Sequence, residues 1–181
     1  MKEGNSMIEP HNKKPFYRAF GVAAAILLAI SFPIACNRKA FAADDAVSYF
    51  QENTSADSMV NDICKDYDVD SNLVKAIIWH ESRGIPQVAN RRCIGLMQID
   101  RYWNQDRMAK LNVWDLYDPY SNVLVGVDLL SELIGDYDSE TLAVMLYGGD
   151  HDEAFQMWRR GYVPGYAREI LEIAEELEGD L

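Results

Sequence analysis

The segment "ETLAVMLYGG" (residues 140–149) constrains the fold more than any other stretch of the chain. It is apolar on almost every face of a helix, and such a helix is stable in water only when other elements enclose it. The rest of the chain contains the segments for that sheath. "VDSNLVKAIIWHES" (69–82) carries Leu73, Val74, Ile77 and Ile78 on one stripe, with Asp70 or Ser71 available as cap and Gly84 followed by Pro86 as its end. Upstream, Val60, Ile63, Cys64 and Tyr67 keep helical spacing, and Asp57 or Ser58 can cap that helix. "DPYSNVLVGVDLLSELI" (118–134) reads as a long amphipathic helix with Pro119 in its first turn and Val123, Val127, Leu130 and Ile134 on one face.

Two more helices are expected, one over "DEAFQMWRRG" and one over residues 166–178 with Tyr166, Ile170, Ile173 and Leu177 turned inward. Period-two alternation is confined to a short piece around residues 93–99. The expected architecture is all-α or nearly so, one compact helical domain over residues 57–181 without internal repeats. Residues 43–56 are polar and acidic with little sustained period, and read as a linker or loosely held arm.

Residues 1–42 stand apart. Lys13, Lys14 and Arg18 precede an apolar run over residues 19–35, and small residues at Ala40 and Ala42 suit a cleavage site. The segment reads as a secretory signal, with an uncleaved N-terminal membrane anchor through residues 19–35 as the alternative, because the run is near the lower limit for spanning a bilayer. Cys36 only loosely fits a lipoprotein cleavage box. On either reading the domain is exported, to the cell envelope or beyond it.

Beyond residue 42 the chain keeps 11 basic and 27 acidic side chains, a balance of −16 against −12 for all 181 residues. So acidic a domain is repelled by a phosphate backbone, which argues against a nucleic-acid partner. Cys64 and Cys93 remain in that part, and in an oxidising exterior they form either one disulfide or two free thiols.

"IIWHESRGIPQ" (77–87) places His80 beside Glu81 at a helix end. A metalloprotease helix needs histidines at i and i+4, and Gly84 stands four residues after His80, so no zinc site is expected. Glu81 occupies the apolar stripe, four residues after Ile77 and three after Ile78. A carboxylate there loses hydration, which raises its pKa and keeps it protonated near neutral pH, as a general acid requires. The alternative is a helix-end glutamate paired with Arg83, Arg91 or Arg92.

"ES" (Glu81, Ser82) followed by "GLMQI" (95–99) resembles the catalytic core of the soluble lytic transglycosylase (SLT domain) family and the related goose-type lysozymes. The resemblance runs in order through "VDSNLVKAIIWHES", "NVLVGVDLLSELI", "LAVMLYGG" and "GYAREIL". It implies a lysozyme-like transglycosylase fold and a domain that cleaves the β-1,4 bond between N-acetylmuramic acid and N-acetylglucosamine in peptidoglycan. Glu81 is the implied acid and base, closing a 1,6-anhydro ring without water, metal or organic cofactor.

The same resemblance implies substrate-binding positions at Ser82, Gly95, Met97, Gln98, Tyr147 and Tyr166. Gly95 would let backbone approach the sugar, Met97 and Gln98 would line the groove, and the two tyrosines would stand near the scissile bond. Asp100, next after the motif, is a candidate to orient water, or else a capping residue. One departure stands out: Gly148, Gly149 and Asp150 follow Tyr147 where the family has an asparagine pattern, which puts a sugar contact in doubt. A hydrolase of the same bond fits the motifs too, and a wall-binding scaffold without turnover is the reading from another class. Trp79, Trp103, Trp114 and Trp158 can stack on sugars but equally serve packing. A domain of this size also suits a local hole-maker for a secretion, conjugation or phage apparatus.

Overall fold

The computed structural model describes residues 43–179. The signal or anchor expected over residues 1–42 lies outside the described residues. Among the described ones, helices alternate with a single small sheet: α1 (Ala43–Glu52), α2 (Thr54–Tyr67), α3 (Ser71–Ser82), three two-residue strands β1 (Ala89–Asn90), β2 (Cys93–Ile94) and β3 (Ile99–Asp100), then α4 (Gln105–Lys110), α5 (Pro119–Tyr137), α6 (Glu140–Gly148), α7 (His151–Arg159) and α8 (Gly165–Gly179). The fold is helical, as the spacing of apolar residues predicts. None of these helices is long and apolar enough to cross a membrane.

The all-apolar segment is α6, and it lies at the centre. Five consecutive residues from Leu142 to Leu146 are buried, and α5, α7 and α8 pack around it. Outside this, α3 runs along α8, and α2 closes against α3 and α5. The helices start where capping side chains allow. Asp70 accepts from the Asn72 amide, Asp118 from Ser121, Ser139 from Leu142 and Asp150 from Glu153, each satisfying a donor that the first turn leaves open.

Residues 43–52 correct the expected loose arm. They form α1, whose Ala46, Val47 and Phe50 are buried against α8 and α3. Its apolar stripe is only three residues wide among acidic ones, too little to show as a period, and its stability comes from the face it covers. The start of α2 differs as well: the helix begins at Thr54 after Asn53, ahead of the caps expected at Asp57 or Ser58. Helix α4 was not signalled by any periodic run. Cys64 and Cys93 are both free thiols, so no disulfide supports the core.

The alternation around residues 93–99 resolves into two short strands joined by a turn. β2 lies between β1 and β3, antiparallel to each, with Cys93 opposite Asp100 and Ile94 opposite Ile99. The connecting turn is Gly95–Leu96–Met97–Gln98, with left-handed backbone at Gly95 (φ +81°) and Gln98 (φ +47°). Leu96 and Met97 point into the core.

Asn122, fully buried in the first turns of α5, anchors this turn. Its Oδ1 accepts from the Met97 amide at 2.8 Å, and its Nδ2 donates to the carbonyls of Ile94 and Leu116, both at 2.8 Å. One side chain thus satisfies backbone groups at the end of β2, in the turn after it and in the loop before α5. Asn122→Ala strands one buried N–H and two buried C=O groups. We expect a loss of about 3 kcal/mol or more in unfolding free energy, at the 1–3 kcal/mol typical of each unsatisfied group. Urea denaturation followed by circular dichroism measures it, with Gly135→Ala as a reference: that exposed glycine in the last turn of α5 has nothing near its missing β-carbon, and alanine should add no more than about 0.5–1 kcal/mol.

Candidate active site

Glu81 sits in the last turn of α3, which closes through two successive left-handed residues, Arg83 (φ +56°) and Gly84 (φ +71°). The Arg83 amide returns to the Trp79 carbonyl at 3.2 Å. Helix α1 holds this turn from outside: the Tyr49 hydroxyl donates to the Gly84 carbonyl at 3.0 Å and its ring packs on Trp79. A β-carbon at Gly84 would overlap the Tyr49 ring, so glycine serves both the backbone angle and the close approach.

Three elements bring side chains to Glu81. Tyr166, in the first turn of α8, donates its hydroxyl to Glu81 Oε1 at 2.7 Å. Tyr147, near the end of α6, donates to the Met97 carbonyl at 2.7 Å. Cys93 in β2 is close enough for the Glu81 carboxylate to hold its thiol up, after burial and beside Asp100. Two of the three arginines weighed as ion-pair partners are engaged elsewhere, Arg92 with Asp100 at 3.1 Å and Arg83 with the Trp79 carbonyl at 2.6 Å.

Glu81 is half-buried, open enough to be reached and enclosed enough to lose much of its hydration. Burial pushes its pKa above the ordinary carboxylate value, and the hydrogen bond from Tyr166, which favours the ionised form, partly opposes that rise. Tyr166 and Tyr147 are both pushed well above 10, first by burial and then by the Glu81 charge, so each phenol keeps its proton and acts as a donor. His80 lies outside this set. Its ring meets Tyr166 edge-on at 4.8 Å, its Nε2 is 3.5 Å from Glu169, and burial lowers its pKa so that it is mostly neutral at pH 7. Among the described residues no three His, Cys, Asp or Glu side chains cluster closely enough to hold a metal ion.

The sequence candidates divide on inspection. Glu81, Tyr147 and Tyr166 come together. Ser82 is buried and its hydroxyl donates to the Ile78 carbonyl at 3.1 Å, a bond within the helix. Met97 is wholly buried with its sulfur on Gly126, so its side chain packs in the core rather than lining a groove; its backbone carbonyl receives Tyr147. Gln98 Nε2 donates to the carbonyls of Val88 (3.1 Å) and Gly95 (2.9 Å), bracing the turn.

Gly95 has a reason beyond any sugar. A β-carbon there would overlap the Asn122 amide and the Leu116 carbonyl. Asp100 acts as a capping residue: Oδ1 accepts from the amides of Tyr102 (2.8 Å) and Trp103 (3.3 Å), and Oδ2 faces Arg92. Trp79 and Trp158 pack half-buried against the core, whereas Trp103 and Trp114 are exposed. Sequence reasoning missed Asn122, whose signal was an amide beside the apolar stripe four residues before Gly126, and Tyr49, which lay in the supposed linker.

Two hollows lie elsewhere, one of about 210 Å³ bordered by Phe50, Lys75 and Leu177, the other of about 300 Å³ beside Met108 and Trp114. Neither includes Glu81 or its tyrosines. The arrangement around Glu81 can deliver a proton to an acceptor and then hold the resulting carboxylate with a phenol donor.

A family model described as "Transglycosylase SLT domain" matches residues 58–154. The match takes in Glu81, the turn between β2 and β3, Asn122 and Tyr147, and it ends before Tyr166. The chain is also 33% identical to "Membrane-bound lytic murein transglycosylase E" of Buchnera aphidicola subsp. Acyrthosiphon pisum (strain APS), over 37% of this chain and 34% of that protein. The chain thus spans about a third of the length of that curated relative.

The raised pKa of Glu81 fixes the sign of a stability test. In the pH interval between its unfolded and folded values, the native state holds more protons than the unfolded state, so stability falls as pH rises through that interval. Glu81→Gln removes this dependence. Relative to the parent, the variant should gain stability as pH increases from about 4, then level off above the folded pKa. Thermal melts of the two proteins across that range check it, and a gain that shrinks with rising pH contradicts the raised pKa.

Proposed function

Since the chain belongs to the transglycosylase SLT domain family, we propose that it is a peptidoglycan lytic transglycosylase and that Glu81 alone supplies its acid and base. The observation that carries this reading is the half-buried Glu81 carboxyl with the Tyr166 hydroxyl on it at 2.7 Å. A protonated Glu81 delivers its proton to the glycosidic oxygen joining C1 of N-acetylmuramic acid to O4 of N-acetylglucosamine. The C1–O4 bond breaks as the proton arrives, and positive charge develops on the muramic ring.

Glu81 is then a carboxylate, stabilised by the Tyr166 donor. It takes the proton of the muramic 6-hydroxyl while O6 bonds to C1, which gives the 1,6-anhydro end and returns Glu81 to its acid form. One carboxyl suffices because the nucleophile belongs to the substrate. The raised pKa suits the first half of the cycle and the phenol donor the second, so the two opposing influences on Glu81 serve successive steps. The turn from Gly95 to Gln98, with its backbone fixed by Asn122 and Tyr147, forms a rigid wall beside the acid. Peptidoglycan lies outside the cytoplasmic membrane, in keeping with residues 1–42 as a signal or anchor.

Muropeptides released from purified peptidoglycan, analysed by mass spectrometry, test this reading. The expected products are one water lighter than hydrolysis products, and Glu81→Gln should reduce their rate of release by about 10²–10⁴-fold, the usual contribution of a positioned acid–base group. Reducing-end products would make the protein a muramidase. Absence of any release, with wall binding retained, would make it a scaffold.

A further inference from the structure

Gly148 occupies the last turn of α6, one residue after Tyr147. Nothing in its backbone calls for glycine, since its φ lies outside the left-handed region. A glycine inside a helix also costs stability relative to alanine. What explains it is a neighbour: a β-carbon at Gly148 would overlap Cε1 and Cζ of Tyr166 and stand 2.7 Å from Cδ1. The adjacent Gly149 differs, because its β-carbon would meet only the Met145 carbonyl, at 3.2 Å. The Tyr166 ring therefore rests on bare α6 backbone, and from that seat its hydroxyl reaches Glu81.

We propose that Gly148 is a positioning residue of this site, acting through Tyr166: by carrying no side chain it seats the phenol ring and so aims the hydroxyl at the Glu81 carboxyl. Any side chain at 148 and the Tyr166–Glu81 hydrogen bond then exclude each other, because both need the same space. The edge-on contact with His80 on α3 keeps the ring in place from a second helix.

The groups facing Glu81 are Tyr166 from α8, Tyr147 from α6 and Cys93 from β2, with His80 beside it on α3, Arg83 just past the end of α3, and Glu169 behind His80. A substitution at Gly148 changes the reach of only the first. Because the Tyr166 hydrogen bond favours the ionised carboxylate, losing it raises the Glu81 pKa and moves the alkaline limb of the rate profile to higher pH. The catalytic consequence rests on the transglycosylase reading above; the titration does not.

The test follows the Glu81 side-chain carboxyl by carbon NMR against pH in the full-length chain, in the parent, Tyr166→Phe, Gly148→Ala and the double variant. Tyr166→Phe and Gly148→Ala should each raise the Glu81 pKa by a similar amount, and the double variant should shift no further than Tyr166→Phe. With peptidoglycan, kcat of Gly148→Ala should fall about tenfold or more, consistent with partial loss of a positioned acid–base group. Gly135→Ala serves as the reference and should leave the titration unchanged.

An unchanged Glu81 titration in Gly148→Ala, or shifts that add fully in the double variant, overturns the proposal. Should Gly148→Ala fold poorly, its melting temperature is compared in the parent and Tyr166→Ala backgrounds. A drop confined to the background that keeps the ring supports the seat, and equal drops overturn it. Unimpaired glycan release by Glu81→Gln would instead refute the assigned chemistry, with the titration coupling unaffected.

Discussion

Asn122 has no solvent exposure, and its amide satisfies backbone groups from Ile94, Met97 and Leu116. Much of the site depends on that one side chain. The turn from Gly95 to Gln98 lies between strands of two residues each, too short to hold a shape on their own. Asn122 ties it to α5, the absence of a side chain at Gly95 lets the amide approach, and the Met97 side chain fills the space over Gly126. Only with the turn in place does the Met97 carbonyl meet the Tyr147 hydroxyl, joining α6 to the sheet. The shape of the turn that receives Tyr147 is thus decided on α5.

The second organising feature is the use of tyrosines from the two ends of the domain. Tyr49 on α1 packs over Gly84 and Tyr166 on α8 packs over Gly148. Both lie outside the stretch matched by the family model, and α1 and α8 pack on each other. One braces the turn that ends the helix of Glu81, and the other contacts the carboxyl directly. Burial alone would leave Glu81 a strong holder of its proton; the phenol moderates this without adding a charge. Tyrosine suits that place because its own pKa, already high, is raised further by burial and by the carboxylate, so it keeps its proton and remains a donor.

The helices were legible because helical period is a local property. Leu73, Val74, Ile77 and Ile78 specify a face whatever surrounds them, and Asp70 and Asp118 cap helices by reaching their own backbone. Glu81 was legible for the same reason, as a carboxyl on the buried stripe. Helix α1 was not, since Ala46, Val47 and Phe50 make a narrow stripe that gains stability only against α8. Ser82 and Met97 show a different gap. Their membership in a motif was visible, whereas the direction each side chain takes was not, and both turn into packing and hydrogen bonds of the protein itself.

By itself the sequence determined that α6 must be enclosed, where most helices begin and end, and which carboxyl would lose its water. Each of these follows from the character of residues within a few positions of one another. The tertiary structure alone decided that Tyr166, 85 residues from Glu81, would hold it, that Gly148 would leave room for that ring, and that an amide on α5 would shape the turn between β2 and β3. Those relations depend on distances between elements that meet only when the core closes, and no local pattern records them.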